Sequence, residues 1–237
     1  MKIKVLYDNT AADERYDSGW GFSCLVDGRV LFDTGEDGES LLKNMKLMAE
    51  EPEDIEAIVI SHDHWDHTGG LPEILTRNKG LRTYVCPGFS RSFKRKVNQM
   101  GGSLMETEGL TEIKEDIFTT GPIQGEYKMR GIEEQALALK TGNGITVITG
   151  CAHPGIVRIV EEVKKKFPGE GLYCVFGGFH LKDKGKDELN TVADELERLG
   201  MNKYGPAHCS GGEAKGVFRD RFGDDFIRIA SGKTVEV

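Results

Sequence analysis

The 237-residue chain has no apolar run near the roughly 20 residues that a membrane-spanning helix needs. Its first residues, "MKIKVLYDNT", lack the apolar segment and small-residue cleavage site of a secretory signal and read as a first strand. Cysteine is scarce and odd in number, five residues at 24, 86, 151, 174 and 209, with no C-x-x-C pair. That spacing argues against a disulfide framework or a zinc ribbon and suits a reducing compartment, so a cytoplasmic location is expected. Positive charge is in deficit: 31 Lys and Arg against 39 Asp and Glu give a net charge of −8, so neither nucleic acid nor an anionic membrane is expected as a partner. No Pro/Ser-rich linker, low-complexity tract or short repeat divides the sequence, and one domain over residues 1–237 is expected. With 38% hydrophobic and 30% charged residues, the chain has the make-up of an ordinary globular protein with a sizeable core.

The apolar pattern alternates between strand and helix. "GFSCLVDGRVLFDTG" is two short apolar runs joined by Asp27-Gly28, a strong hairpin signal, and Leu41, Leu42, Met45 and Met48 follow at helical spacing. "QALALKTGNGITVITG" reads as a second hairpin turning at Gly142-Asn143-Gly144. After it come an amphipathic helix through Ile156, Ile159, Val160, Val163 and Phe167, and a buried strand "LYCVF". A second helix with Leu189, Val192, Leu196 and Leu199 ends at Gly200, and a final strand pair lies in "DFIRIASGKTVEV". This order supports a mixed α/β class, with two mixed sheets and outer helices.

Histidine is rare, with six in the chain, and three of them fall in "SHDHWDHTGG" directly after the buried run "AIVI". The others stand in "VITGCAHPG" (His153), "VFGGFHL" (His180) and "YGPAHCSGG" (His208), each just after a strand-like run and flanked by small residues. Four strand ends thus present histidines beside backbone that can approach closely, and in α/β proteins ligands bind at the carboxyl ends of strands. Neutral imidazole and carboxylate bind zinc, iron or manganese without a cysteine cage. His62 and His64, two apart on extended backbone, can face one metal, and Asp66 and His67, beyond a bend, a second. Gly69 and Gly70 then start a helix with Leu71 and Pro72 in its first turn, whose N-terminus favours a nearby anion. Six solvated or core histidines clustering by accident, or a purely structural metal site, are the competing accounts; structural zinc favours cysteine-rich shells.

His62-x-His64-x-Asp66-His67 with Thr68-Gly69-Gly70 resembles the signature of the metallo-β-lactamase-fold hydrolases, and the likeness runs along nearly the whole chain. "VLFDTG" is similar to the family's early strand and turn, with Asp33, and Ser61 beside the cluster, as supports behind the ligands. The resemblance implies a four-layer αββα sandwich of two mixed β-sheets flanked by helices. It implies His62, His64 and His153 on one metal and Asp66, His67 and His208 on another, hence one or two divalent ions per chain, zinc first and manganese or iron as alternatives. One position departs from the pattern: His180 stands where the family has a metal-bridging aspartate. Imidazole has one free lone pair and cannot bridge as a carboxylate does, so a single or unequal pair of ions is expected. His180 is left as an additional ligand, a proton donor or an anchor for an anionic group on the substrate. "TGCAHPG", "GGFHL" and "HCSGG" narrow the resemblance to the branch of the 7,8-dihydropterin-6-methyl-4-(β-D-ribofuranosyl)-aminobenzene-5′-phosphate synthases of methanopterin synthesis, which join a dihydropterin diphosphate to an aminobenzene ribofuranosyl phosphate.

The chemistry these residues imply is hydrolysis of a small phosphorylated or ester-like, anionic substrate, with Asp66 orienting water and accepting its proton and His180 protonating the leaving group. The synthase reaction, releasing diphosphate, is the alternative; a mononuclear iron dioxygenase or a non-catalytic metal-binding protein comes after it. No organic cofactor is expected, and the oligomeric state is open. In "FSRSFKRKVNQM", Phe89, Phe93, Val97 and Met100 share a helical face, and Arg91, Lys94, Arg95 and Lys96 are expected as a solvated face before a phosphate patch. "HLKDKGKDE" is read likewise, as a charged loop first. "TTGPIQGEYKMRGIEE" (119–134) is expected as an aperiodic connection long enough to cover a site, its tyrosine and methionine able to meet a flat ring. Cys151 and Cys209, each within two residues of a histidine, are expected as small buried residues, with a soft metal ligand or reactive thiol as the other reading.

Overall fold

Lys2–Tyr7 forms the first strand, β1, and the Asp27-Gly28 turn follows it as a hairpin between β2 (Ser23–Val26) and β3 (Val30–Phe32). Asp27 and Gly28 adopt φ of 47° and 67°, the left-handed conformation that lets a tight turn follow the twist of its strands. The computed structural model describes residues 1–237, in two compact units: Met1–Glu108 with Ala230–Glu236, and Gly109–Ile229. No helix is long and apolar enough to cross a membrane.

In the first unit β3 is followed by α1 (Gly38–Leu47), β4 (Ala57–Val59), the single-turn α2 (Trp65–Thr68), α3 (Leu71–Arg77), β5 (Arg82–Val85), α4 (Arg91–Gln99) and β6 (Ser103–Glu106). Asp37 caps α1 by accepting from the Ser40 amide at 2.8 Å, and Ser90 caps α4 through the Phe93 amide. Strands β3 to β6 run parallel, while β1, β2 and β3 are antiparallel neighbours. Leu41 and Met45 of α1, Leu71, Ile74 and Leu75 of α3 and Val97 of α4 are buried in one cluster with Leu25, Leu31 and Ile58 of the sheet. The C-terminal ends of the parallel β3 and β4 carry Asp33 and residues 61–67 respectively.

The second unit begins with β7 (Thr111–Lys114) and β8 (Ile117–Thr119), then a separate hairpin of β9 (Ile123–Tyr127) and β10 (Arg130–Glu134), then β11 (Leu137–Thr141) and β12 (Gly144–Thr149). Next come α5 (Ile156–Lys166), β13 (Leu172–Gly178), α6 (Lys186–Leu199), β14 (Lys203–Ala207) and α7 (Gly211–Phe222). β12, β13 and β14 are parallel, and β11, β8 and β7 extend the sheet antiparallel. Ile156, Ile159, Val160 and Val163 of α5 are buried with Leu189, Ala193 and Leu196 of α6 and Phe218 of α7. Gly200, left-handed at φ 98°, ends α6 as its position after the last periodic leucine suggests. The parallel strands end just before the remaining histidines: β12 before Cys151–His153, β13 before His180, β14 before His208. The chain then returns to the first unit as β15 (Thr234–Glu236), antiparallel to β1, which makes each sheet mixed: β15-β1-β2-β3-β4-β5-β6 in the first unit and β14-β13-β12-β11-β8-β7 in the second.

Two sequence expectations fail. Residues 119–134 are not an aperiodic connection, because β9 and β10 pair from Ile123–Glu134 to Tyr127–Arg130 across a turn at Lys128 and Met129, both left-handed at φ 49° and 60°. Neither turn residue is Gly or Asn, so the usual turn signal was absent. The end of the chain forms one strand rather than a pair. The Ile227 amide bonds Tyr204 and the Ser231 amide bonds Thr10, so neither sheet holds residues 226–231 long enough for a ladder.

Candidate metal centre

Asp33 organises the histidines of the first unit. The Ser61 amide donates to its Oδ1 at 2.7 Å, while Ser61 Oγ and His67 Nδ1 both stand 2.7 Å from its Oδ2. Ser61 Oγ also lies 2.9 Å from His62 Nδ1. Because the single hydroxyl proton goes to Asp33, His62 Nδ1 is the donor in that contact, and His67 Nδ1 likewise donates to the carboxylate. Both rings therefore turn Nε2, their lone-pair nitrogen, to whatever they bind, which is how carboxylates behind metal-binding histidines set the tautomer. The His62 ring centroid is 4.6 Å from that of His64 and 4.2 Å from that of His67. Asp66 Oδ2 is 3.7 Å from His67 Nε2. Burial raises the Asp33 pKa, and the His67 and Ser61 bonds work against that rise.

The local backbone explains the motif's remaining residues. Thr34 donates through its amide and Oγ1 to the His67 carbonyl, tying the Asp-Thr-Gly turn to α2. A Cβ on Gly69 would come within 2.0 Å of the Glu36 carbonyl oxygen, so only glycine permits this approach. Asp63, the motif's other acid, caps elsewhere: its Oδ2 accepts from the Ser90 amide ahead of α4.

In the second unit the organiser is Glu134, fully buried at the end of β10. Its Oε1 accepts from the amides of Cys151 and Ala152 at 2.8 and 2.7 Å, and its Oε2 from the His153 amide and Nδ1 at 2.8 and 2.9 Å. Burial alone would raise this carboxyl, but the His153 bond and charge and the backbone amides hold it down at about 2. His153 thus also offers Nε2. Its ring lies 4.7 Å from that of His180, and Tyr127 on the hairpin stands 5.2 and 6.2 Å from the two rings. Donor atoms of Cys151, His153 and His180 lie within 4.8 Å of one another, and Cys151 and His208 are equally close. Cys209 Sγ sits 3.5 Å from the Cys151 carbonyl. Burial pushes the Cys209 thiol up, and Cys151, His180 and His208 pull it well below its usual range; Cys209 in turn raises His180.

Asp33, Ala152, His180 and His208 all hold left-handed backbone at φ 54°, 62°, 54° and 44°. Each non-glycine residue in that region costs on the order of 1 kcal/mol, and such strain concentrates at functional sites. The donor set is three histidines and an aspartate in one unit and three histidines in the other, with carboxylate-fixed tautomers in both; it fits a divalent transition metal such as zinc.

Within the first unit His62, His64, Asp66 and His67 stand with Asp33 and Ser61, and within the second His153, His180 and His208 stand with Cys151 and Cys209. It gives the basic stretches ordinary work: Lys94 pairs with Glu106 at 2.8 Å, Arg91, Arg95 and Lys96 are exposed, and Lys184 pairs with Glu188 at 2.9 Å. Sequence reasoning missed Glu134. The available signal was an acid at the border of the apolar strand "QALAL", where an unpaired carboxylate is costly to bury.

Residues 23–182 match the model of the metallo-beta-lactamase superfamily. The chain is 30% identical to the 7,8-dihydropterin-6-methyl-4-(beta-D-ribofuranosyl)-aminobenzene-5'-phosphate synthase of Methanocaldococcus jannaschii, covering 100% of this chain and 96% of that protein. An uncharacterized protein of the same organism is also 30% identical, over 90% of this chain and 91% of its own length. Among solved structures, a metal-dependent hydrolase of the beta-lactamase superfamily superposes with a TM-score of 0.84 at 29% identity, covering 100% and 99% of the two chains. A diphosphatase of the PhnP family shares the fold at a TM-score of 0.63 and 14% identity, covering 100% and 96%. With two mixed sheets, their helices and this family match across both units, the chain belongs to the metallo-β-lactamase superfamily.

Proposed function

We propose that the chain is a single catalytic domain that hydrolyses a small, anionic, phosphorylated substrate at a centre of one or two divalent metal ions. His62, His64 and His153 would hold one ion, and Asp66, His67 and His208 the other, with zinc the expected metal. The observation that carries the reading is the same device in both units: a buried carboxylate on Nδ1 of a motif histidine, Asp33 on His67 and Glu134 on His153. The family model supports the single domain, since residues 23–182 run across the boundary between the units at Glu108.

A divalent ion at such a site supplies Lewis acidity and lowers the pKa of water to roughly 7. Asp66, buried beside His67, would orient water and take its proton. His180, exposed and raised in pKa beside Cys209, would give a proton to a departing oxygen. Tyr127 offers a ring beside His153 and His180 against which a flat substrate group would pack.

A second reading, transfer of a dihydropterin group with release of diphosphate, has one observation in its favour: the full-length likeness to the synthase. The test is zinc- or manganese-reconstituted protein assayed against phosphomonoesters, phosphodiesters and diphosphates, and separately with dihydropterin diphosphate plus an aminobenzene ribofuranosyl phosphate. Metal-dependent phosphate release that Asp66→Asn abolishes is expected. Joining of the two pterin precursors with no hydrolysis of any phosphate compound would replace hydrolysis by transfer.

A further inference from the structure

The usual metal-bridging aspartate is absent, and the histidine at its place, His180, has only one lone pair to give. The second unit nonetheless holds another donor that bonds through an anion. Cys151 Sγ lies within 4.8 Å of the donor nitrogens of His153 and His180, and also within 4.8 Å of that of His208. His153 and His208 are the two second-unit residues assigned above to different ions, so one sulfur lies near both positions. Its backbone is fixed for the purpose. Ala152, left-handed at φ 62°, stands between Cys151 and His153, and Glu134 grips the three consecutive amides of residues 151–153. A left-handed residue between two others breaks the alternation of an extended chain, in which Cys151 and His153 already fall on one side, and curls them round a common point. The neighbouring sulfur, Cys209 Sγ, stands 3.5 Å from the Cys151 carbonyl.

We propose that Cys151 is a ligand of the metal centre and supplies, as thiolate, the shared anionic donor that the missing aspartate supplies elsewhere in the superfamily. On binding, the thiol proton is released to solvent and a sulfur–metal bond replaces the S–H bond, so the ligand set gains one negative charge. Thiolate is a softer donor than carboxylate and biases the site towards zinc, iron or cobalt and away from magnesium and manganese.

This inference rests on the proposed metal centre, and cobalt(II) separates the two. The full chain, stripped of metal and titrated with cobalt(II), is expected to develop an intense near-ultraviolet sulfur-to-cobalt charge-transfer band besides the weaker visible d–d bands. Cys151→Ser is expected to lose the charge-transfer band while keeping cobalt d–d absorption, and Cys209→Ser to keep both. Should Cys151→Ser fail to fold, the wild-type band and its persistence in Cys209→Ser, with Cys151 the one cysteine among the histidine donor groups, assign the thiolate. Cobalt bound with d–d bands and no charge-transfer band overturns the ligand assignment and leaves the metal centre standing. A band that survives in Cys151→Ser or vanishes in Cys209→Ser overturns it as well. No cobalt uptake by the wild-type chain overturns the metal centre and this inference together.

Discussion

The two units hold the imidazoles of the candidate metal centre by different means. In the first, three histidines and two aspartates occupy six consecutive positions, and one short turn with Asp33 behind it aligns them. In the second, His153, His180 and His208 come from three strand ends, two of them on left-handed backbone, and Glu134 reaches over from a hairpin to clamp one of the ends. Asp33 carries three hydrogen bonds, two of them from Ser61, whereas Glu134 carries four, three of them from backbone amides. A contiguous motif needs little outside help; a dispersed one depends on a carboxylate that holds main chain.

That contrast is open to measurement. Glu134→Ala is expected to have the largest effect, about 3–5 kcal/mol off the unfolding free energy in denaturant titrations, since it leaves His153 and three amides buried without their acceptor. Asp33→Ala should cost less, and a reversed order would break the comparison. Gly69→Ala is next, at about 1–3 kcal/mol, because its methyl would press on the Glu36 carbonyl; a neutral result would mean that the turn and α2 are not locked together. Glu134→Gln and Asp33→Asn keep the shapes and change the charge. Each should weaken metal binding by about 10–100-fold in competition with a chelator, with smaller losses of stability. Smallest of all, Arg95→Ala and Lys96→Ala should stay within about 0.5 kcal/mol of the parent and leave KM unchanged, as fits an exposed basic face. A rise in KM for a phosphorylated substrate would turn that face into a recognition patch.

The same contrast explains what could be read from the sequence. The hairpins at Asp27-Gly28 and Gly142-Asn143, the helices through Leu41 and Ile156 and the Gly200 cap announce themselves within a few residues, because their causes are local. The motif from His62 to Gly70 is legible for that reason too. Glu134 was not, since its partners lie 17 to 19 residues away and its only local mark is that of an acid bordering an apolar strand. The β9–β10 hairpin escaped because Lys128 and Met129 take a turn conformation normally left to glycine and asparagine. Cys151 is buried as its sequence context suggests, and only the fold shows that donor atoms of His153, His180 and His208 lie within 4.8 Å of its sulfur.

The most direct test of the central claim, that both histidine sets serve metal, is elemental analysis of the chain purified without chelator or added metal. One or two divalent ions per chain are expected, zinc foremost, with the content falling in both His62→Ala and His153→Ala. A chain that holds no metal, even after reconstitution with zinc, manganese and iron, would contradict the account.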